Sequence, residues 1–528
     1  MWELLNQKKR SWCSAWYESD SGPPKGLPPC PPLISQADAD PRYIKTSSKF
    51  VSSFLKFFHE GVAAEFRALS SSSHDLQQCL YDQKGKLLQG QPSGGSSNLL
   101  GNPGYYWLHF KSDLRPWFYC CYRQPASNCH KYFNKRPSDP GFNYIPPGCG
   151  KASGIGQILT IDGLFYKFNG AGEFWILKQM NEKTGAGFYF QGRMEKIPNS
   201  ANISSPSEAT IFTAFSMKAF YGFENGSSNI IQVELSDSRG LDILMEGVPL
   251  VTSDWAQFSL IQDGYSVSVS DTYFKSINIS FKNGFAFSFK NNAGAISVII
   301  FVDKIHLNSK IKGLLGNFDG IKENDFQTPD GKVIRANSLK NIHYNFGLLW
   351  RVTQEETILH YTYDRSIRDY SFYSYPDFLP IFSLPNISEI LLPVLNLCRN
   401  SISCLFNYAA TGDIFFAHEN LLSDTVYEKD VKSLNLHVIL CNSIDDPING
   451  YADISNGLYS DSTIYFECEW GFFLKGNNSI YCDNGIWNGK PPSCDGISST
   501  IVMIVVLSIV AILLALLIRF RKTICYCF

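Results

Sequence analysis

Apolar and polar residues alternate with a period of two from Ile158 onward, where the chain reads ILTIDGLFYKFNGAGEFWIL. Ile158, Thr160 and Asp162 fall on one side of such a strand, and Leu159 and Ile161 on the other. Asn169-Gly170 reads as a hairpin turn, because both residues tolerate the positive φ that a tight turn needs. The runs YSVSVSD, INISFKNGFAFSFK and AISVIIFV repeat the signal, separated by Asn-Gly and Asn-Asn-Ala-Gly breaks. Long helical patterns are scarce before about residue 350, so residues 151–350 read as an antiparallel β-rich domain.

A different pattern closes the chain. Residues 501–518, IVMIVVLSIVAILLALLI, are apolar on every face, with Ser508 the only polar side chain. A soluble helix keeps a polar face, and this one has none. At about 1.5 Å per residue the run is about 27 Å long, near the hydrocarbon thickness of a bilayer. The pattern predicts a transmembrane helix over 498–520. Arg519, Arg521 and Lys522 follow and belong on the cytoplasmic side, leaving 521–528 as a cytoplasmic tail. The bulk of the chain then lies outside the cytosol, which is a type I plasma-membrane arrangement. Cys525 and Cys527 read either as S-palmitoylation candidates or as free tail thiols. The start, MWELLNQKKRSWC, has no apolar signal region, so the expected chain is either anchored by its late helix or lacks its true amino terminus. Moving so long an upstream segment across a membrane without a signal is difficult, which favours the second.

The cysteines agree with that topology. Fifteen are present, clustered between Cys13 and Cys149 and again from Cys398, with none between those two positions. Small cross-linked modules flanking a domain with its own core give this distribution. No C-x-x-C occurs and no Cys/His set has finger spacing, so disulfides suit the pattern better than zinc. Setting aside the two tail cysteines leaves an odd number outside, so at least one is free or bonded to another chain. Over 528 residues the net charge is −2 and only 18% are charged, which excludes a general nucleic-acid binder. Asn-x-Ser/Thr sites stand at Asn202, Asn225, Asn278, Asn386 and Asn477. Composition alone delivers about that many, so only the topology makes them glycan acceptors.

Residues 441–495 hold Cys441, Cys468, Cys482 and Cys494, with Trp487 before the last. So short a segment needs staples, and spacing leaves three pairings open. The cysteines, Trp487, YFECEWGF and the Pro-Pro-Ser-Cys ending together resemble a sushi (complement control) module. That resemblance implies Cys441–Cys482 and Cys468–Cys494, with Trp487 packed against the bridges.

Within the β-rich domain, GLLGNFDGIKENDFQTPDG at 313–331 gathers Asn317, Asp319, Asn324 and Asp325 around the flexible Gly320. Carboxylates and amide carbonyls at turn spacing suit Ca²⁺, which takes six to eight oxygens. The same side chains also serve an ordinary loop that bonds its own backbone, and the spacing is not that of an EF-hand. TIDGLFYKFNGAGEFWIL followed by GLLGNFDG…ND resembles a von Willebrand factor type D domain. The resemblance implies that the four residues are calcium ligands. Two departures stand out. Gly154-Ile155-Gly156-Gln157 occupies the usual Gly-Asp-Pro-His, removing one carboxylate and the acid-labile Asp-Pro bond, and Leu315 replaces the cysteine of GLCGN.

Residues 1–150, with WCSAWYESD, QQCLYDQKGKLL and WFYCCYRQ, resemble an AMOP module, found in adhesion-associated membrane proteins. The pairing of Cys13, Cys30, Cys79 and Cys129 stays open, and Cys120-Cys121 reads as structural. Residues 351–440 read as a linker region in which Cys398 and Cys404 can close a short loop, with Phe406, Tyr408 and Asp413 packing or capping around it. The order of modules resembles the sushi domain-containing protein 2 and mesh family. The fold class is then mainly β and multidomain: a disulfide-rich AMOP module, a type D domain, a small β sushi module and one transmembrane helix.

The resemblance implies a cell-surface protein for cell–cell or cell–matrix adhesion, with extracellular or cell-surface proteins as partners and, for mesh, epithelial junction assembly. A complement-type binding or regulatory receptor competes, on the thin basis of one sushi module. An ectoenzyme is the weakest reading. His59-Glu60 lacks the second histidine of a zinc protease, neither a Gly-x-Ser-x-Gly elbow nor a P-loop occurs, and the histidines show no ligand pairing. The chain is expected not to be an enzyme.

Overall fold

The computed structural model describes residues 2–46, 55–98, 106–197, 209–236, 240–251, 258–262, 264–269, 276–335, 338–362, 364–370, 392–399, 401–496 and 507–516. Its centre is a pair of antiparallel sheets facing each other. One contains Gly172–Met180, Ala186–Lys196, Thr210–Gly222, Ile231–Leu235 and Leu241–Met245. The other runs from Ser259–Gln262 through Tyr265–Val269, Ser276–Phe281, Phe285–Asn292 and Ala295–Val302 to Gly148–Ser153, Gln157–Leu159 and Phe165–Lys167. Alternation explains the packing. Phe285, Phe287 and Phe289 all point into the shared core, where they meet Phe188, Phe190 and Phe215 of the opposite sheet. Ring centroids of Phe188 and Phe285 lie 4.4 Å apart in a stacked pair. Phenylalanine carries much apolar area per residue, so this column anchors the sandwich without any cross-link.

Ala295–Val302 is buried at every position. Ile296, Val298, Ile300 and Val302 face the other sheet, while Ile299 and Phe301 are covered from outside by Ala39 and Leu434. Helices therefore form a third layer, and the continuous apolar run of this strand follows from having both faces buried. At its entry, Ala293 and Gly294 take φ of 54° and 91°, a two-residue turn of the type that follows strand twist. Asn169-Gly170 does not make the hairpin expected of it. Phe165–Lys167 belongs to one sheet and Gly172–Met180 to the other, so this dipeptide carries the chain between sheets. Asn169 Oδ1 instead accepts from the backbone N–H and the hydroxyl of Thr210, both at 2.7 Å, and neither residue takes positive φ.

The outer layer occupies the region expected to be a linker. Ile402–Thr411 and Ile414–Leu434 form an antiparallel helix pair joined at Gly412, which has φ of 65° and caps the first helix. Asp413 caps the second by accepting from Phe415 and Phe416 backbone N–H groups at 2.8 and 3.2 Å. Cys398–Cys404 ties the preceding helix Leu392–Cys398 to the pair. Phe406 and Phe416 enter an apolar cluster with Ile155, Ile211 and Ala295, and the buried Lys151 forms an ion pair with the half-buried Asp424.

The amino-terminal region is more helical than a mainly β class anticipates. Trp2–Ser19 packs against Arg115–Cys120 and Ala126–Lys135, with Cys13–Cys120 and Cys121–Cys129 joining them. A three-stranded sheet, Tyr43–Lys45, Ala64–Leu69 and Leu76–Tyr81, is held by Cys30–Cys79. The carboxyl-side module has Cys441–Cys482 and Cys468–Cys494 around a small four-stranded and a two-stranded sheet. Cys149 is the free thiol among the described cysteines, half-buried, with burial pushing its pKa up to about 12.

Of the expected membrane helix, residues 507–516 are described and helical, with every side chain exposed. Among the described residues no helix is long and apolar enough to cross a membrane. The rest of the 498–520 segment, the tail 521–528 with Cys525 and Cys527, and the sites Asn202 and Asn386 lie outside the described residues.

Candidate functional site

The asparagine- and aspartate-rich loop follows from two glycines and one unusual phenylalanine. Gly316 has φ of 84°, and a Cβ there would sit 2.1 Å from Asp325 Oδ1, so only glycine lets that carboxylate lie against the backbone. Phe318, at φ of 51°, turns its ring into the domain core and leaves Asn317 and Asp319 on the polar side. The loop brings all four residues singled out from the sequence together. Asn317 Nδ2 donates to Asp319 Oδ2 at 3.1 Å and to Asn324 Oδ1 at 2.9 Å. Asn324 Nδ2 donates to the same Asp319 oxygen at 2.7 Å. Asp325, almost wholly buried, accepts from the backbone N–H of Asn317 at 3.2 Å.

Two residues that sequence reasoning did not assign complete the site. Thr160 donates its hydroxyl to Asp325 Oδ2 at 2.6 Å, and Asp162 accepts the backbone N–H of Asp319 at 2.9 Å. Both lie in the TIDG stretch that opens the β-rich domain, where alternation hid them among strand residues. Burial pushes the Asp325 carboxyl up to about 6, and the charges of Asp162 and Asp319 act in the same direction. Burial likewise raises Asp162. Ion pairs of the described residues leave out all three carboxylates, and Asn317 Oδ1 is buried without a hydrogen-bond partner.

Hard oxygen donors, uncompensated negative charge and an orphaned amide oxygen fit a divalent cation such as Ca²⁺. Among the described residues no three His, Cys, Asp or Glu side chains cluster tightly enough to hold a metal by themselves. Amide oxygens of Asn317 and Asn324 would have to complete any such set.

The two departures in the type D motif have structural counterparts. Ile155 is fully buried among Phe406, Phe416 and Ala295. Gln157 Nε2 donates to Asn407 Oδ1 at 2.8 Å and to the Ser403 carbonyl at 3.3 Å. The 154–157 segment is therefore the seat of the outer helix pair rather than part of the acidic loop. Leu315 is fully buried in the core of the sandwich, so an apolar side chain fills the place of a thiol.

A second polar arrangement joins the first module to the last. Tyr459 donates its hydroxyl to the Pro32 carbonyl at 2.6 Å and accepts the Leu87 N–H at 2.8 Å. Its ring lies in a buried cluster with Tyr43, Phe66 and Tyr81, with Lys86 over its face. Nearby, His130 Nε2 sits 2.8 Å from Asp446 Oδ2 and stacks on Tyr451. Burial opposes the charge of Asp446, but the hydrogen bond from His130 holds its pKa below the usual value.

Among the asparagine sites, Asn225 and Asn477 are exposed outside the strands. Asn278 lies half-buried in the middle of Ser276–Phe281, between neighbouring strands.

Comparison with known proteins agrees with this architecture. Residues 8–145 match the AMOP domain, 150–332 the von Willebrand factor type D domain and 441–494 the sushi repeat. The chain is 27% identical over 521 residues to human Sushi domain-containing protein 2, covering 92% of this chain and 60% of the relative. It is 26% identical over 465 residues to Protein mesh of Bombyx mori, covering 79% of this chain and 28% of that protein. The sushi region is 42% identical over 65 residues to Membrane cofactor protein of Pongo abelii, 11% of this chain and 18% of that protein. The chain thus spans about three fifths of the human relative and little over a quarter of the insect one. With AMOP, type D and sushi domains in succession and similarity running through nearly all of its length, the chain is similar in sequence and domain order to Sushi domain-containing protein 2 and mesh.

Proposed function

We propose that the protein is a single-pass cell-surface protein whose extracellular modules mediate cell–cell or cell–matrix adhesion through protein partners, without catalysis. The observation that carries this reading is the placement of the six disulfides among the described residues, from Cys13–Cys120 to Cys468–Cys494, all upstream of the apolar 501–518 run. Disulfides persist in oxidising compartments, and an all-apolar helix followed by Arg519, Arg521 and Lys522 keeps its basic flank in the cytosol. The apolar side chains of 507–516 are exposed all round, which suits lipid rather than a protein core. Cells displaying the full chain should aggregate with one another or bind matrix more than mock cells. Surface display without any gain in binding would count against adhesion.

Calcium belongs to the same proposal. Asp319 and Asp162, with the amides of Asn317 and Asn324, would hold it, and Asp325 beneath would fix the loop backbone. A bound divalent cation would neutralise the acidic loop; the chain's own contribution is a rigid cradle built by Gly316 and Thr160.

The similarity of the sushi region to Membrane cofactor protein favours a second reading, a complement-type binding receptor. Binding of purified chain to activated complement fragments, absent in a chain lacking 441–494, would support it over adhesion.

A further inference from the structure

The sushi module has two ends, and they differ in chemistry. The end carrying Tyr459 and Leu440 is buried against the AMOP domain, which also runs along the module to Asp446 and Tyr451 through His130. At the opposite end three large apolar side chains stand in water: Trp470 is 100% exposed, Ile448 84% and Phe473 62%. Ile448 and Trp470 are neighbours, and Phe473 follows Trp470 by three residues. The Glu469 N–H donates to the Asn449 carbonyl at 2.8 Å, which places the turn holding Ile448 beside Trp470. Phe472–Lys475 pairs with Ser493–Gly496, with Phe472 opposite Gly496. Singly exposed apolar residues are ordinary, but a group of three headed by a fully exposed tryptophan marks a surface that something covers.

The position of this group in the chain identifies the occupant. Gly496 is the last residue of the module, and Ile501 begins the apolar run. Fully extended, the chain between them reaches at most about 18 Å. Resting on the single-span reading above, the apolar run lies in a bilayer, and the end of the module that bears Trp470 is the end tethered to it. Tryptophan favours the interface between lipid headgroups and acyl chains, where its ring is half apolar and its N–H stays hydrated. The exposed carboxylates Glu467 and Glu469 flank the group, which suits a zwitterionic rather than an anionic surface.

We infer that Trp470, Phe473 and Ile448 form a membrane-interface anchor, which seats the sushi module on the zwitterionic outer leaflet beside its own span. The module then stands on the bilayer by two attachments, and the AMOP domain, joined along its side through Tyr459 and His130, is held at a set height and tilt above the membrane.

The test uses the full chain in phosphatidylcholine nanodiscs, with and without lipid brominated near the headgroup end of its acyl chains. Trp470 and Trp487 are the tryptophans of this module, and Trp487 points its N–H to the Asn442 carbonyl at the other end, 2.9 Å away. Brominated lipid should quench the native chain and the Trp487→Phe chain alike, and the Trp470→Phe chain should lose that quenching. The Trp470 component of the emission should be blue-shifted, and phosphatidylglycerol should weaken its quenching. A red, unquenched Trp470 component in a chain that still floats with vesicles after alkaline wash overturns this inference and leaves the span intact. A blue-shifted component insensitive to bromine overturns it too, because the cover is then protein. A chain washed off the vesicles removes the span, and the inference with it.

Discussion

The hydroxyl of Tyr459 lies 2.6 Å from the carbonyl oxygen of Pro32, which is 427 residues away in sequence. That bond, and the one the same oxygen accepts from the Leu87 N–H, sew the sushi repeat to the AMOP domain. Replacing Tyr459 with Phe keeps the ring in its apolar seat and removes both bonds of its hydroxyl, leaving the Leu87 N–H and the Pro32 carbonyl only their own 3.2 Å bond to each other. A loss of about 0.5–1.5 kcal/mol follows from that kind of deletion. Tyr459→Phe should lower the thermal midpoint and speed proteolytic cutting between the two modules. A melt and digestion pattern identical to the native chain would show that the joint does not depend on this hydroxyl.

The acidic loop yields a second expectation. A cation bound only by the folded chain stabilises it by RT ln(1 + [L]/Kd), which is about 2.7 kcal/mol at a hundredfold excess over Kd. Millimolar Ca²⁺ should raise the melting temperature of the type D domain, and chelator should reverse the rise. Asp319→Asn should abolish the response. Calorimetry that finds no calcium dependence in the native chain would remove these residues as ligands.

Gly316 tests the cradle without reference to any metal. Gly316→Ala places a Cβ where Asp325 Oδ1 now lies and adds the cost of a left-handed backbone, about 1 kcal/mol for a residue with a side chain. Its melting temperature should fall well below that of Gly331→Ala, because Gly331 also has positive φ but nothing within 4 Å of its Cβ position. Equal effects at the two positions would mean that the contact with Asp325 is not important.

How much of this was legible in the sequence depends on which face of an element was buried. Phe285, Phe287 and Phe289 alternate with smaller or polar residues, so their strand could be read directly. Asn169-Gly170 carried the composition of a hairpin, yet the Asn169 side chain is committed to Thr210, a contact that no local pattern announces. The helix Ile414–Leu434 buries Asn420 and Ser423 along with Phe416, Ala417 and Leu434, so its apolar stripe is faint and the segment reads as a linker. Asp319 and its neighbours were visible as a loop rich in oxygen donors. Thr160 and Asp162 were not, because their contribution exists only once a distant strand end is folded against that loop. The sushi pairings came from resemblance, since spacing left three open.

Acid should destabilise the protein in a defined window. Burial holds His59 down to about 4 from 6.5, although its Nδ1 lies 2.9 Å from the Gly94 carbonyl, and burial holds His343 to about 4 as well. Unfolding lets both bind protons near pH 6.5, so their stabilising contribution is full above that pH and is lost as pH falls toward 4. The raised Asp325 carboxyl acts with the opposite sign in the same range, so the ring is read by comparison: between pH 6.5 and 4 the native midpoint should fall relative to that of His59→Gln. Parallel profiles of the two chains would contradict the burial of this ring.

The central claim is that the disulfide-linked modules stand outside the cell on the apolar helix near the carboxyl end. Intact cells expressing the chain should be treated with trypsin and a membrane-impermeant maleimide, and the released peptides read by mass spectrometry without reduction. The account predicts that peptides joined through Cys13–Cys120, Cys441–Cys482 and Cys468–Cys494 leave the cell surface, while the carboxyl-terminal fragment stays with the membrane. Recovery of those cysteines as free thiols, protected from trypsin until the cells are lysed, would contradict it.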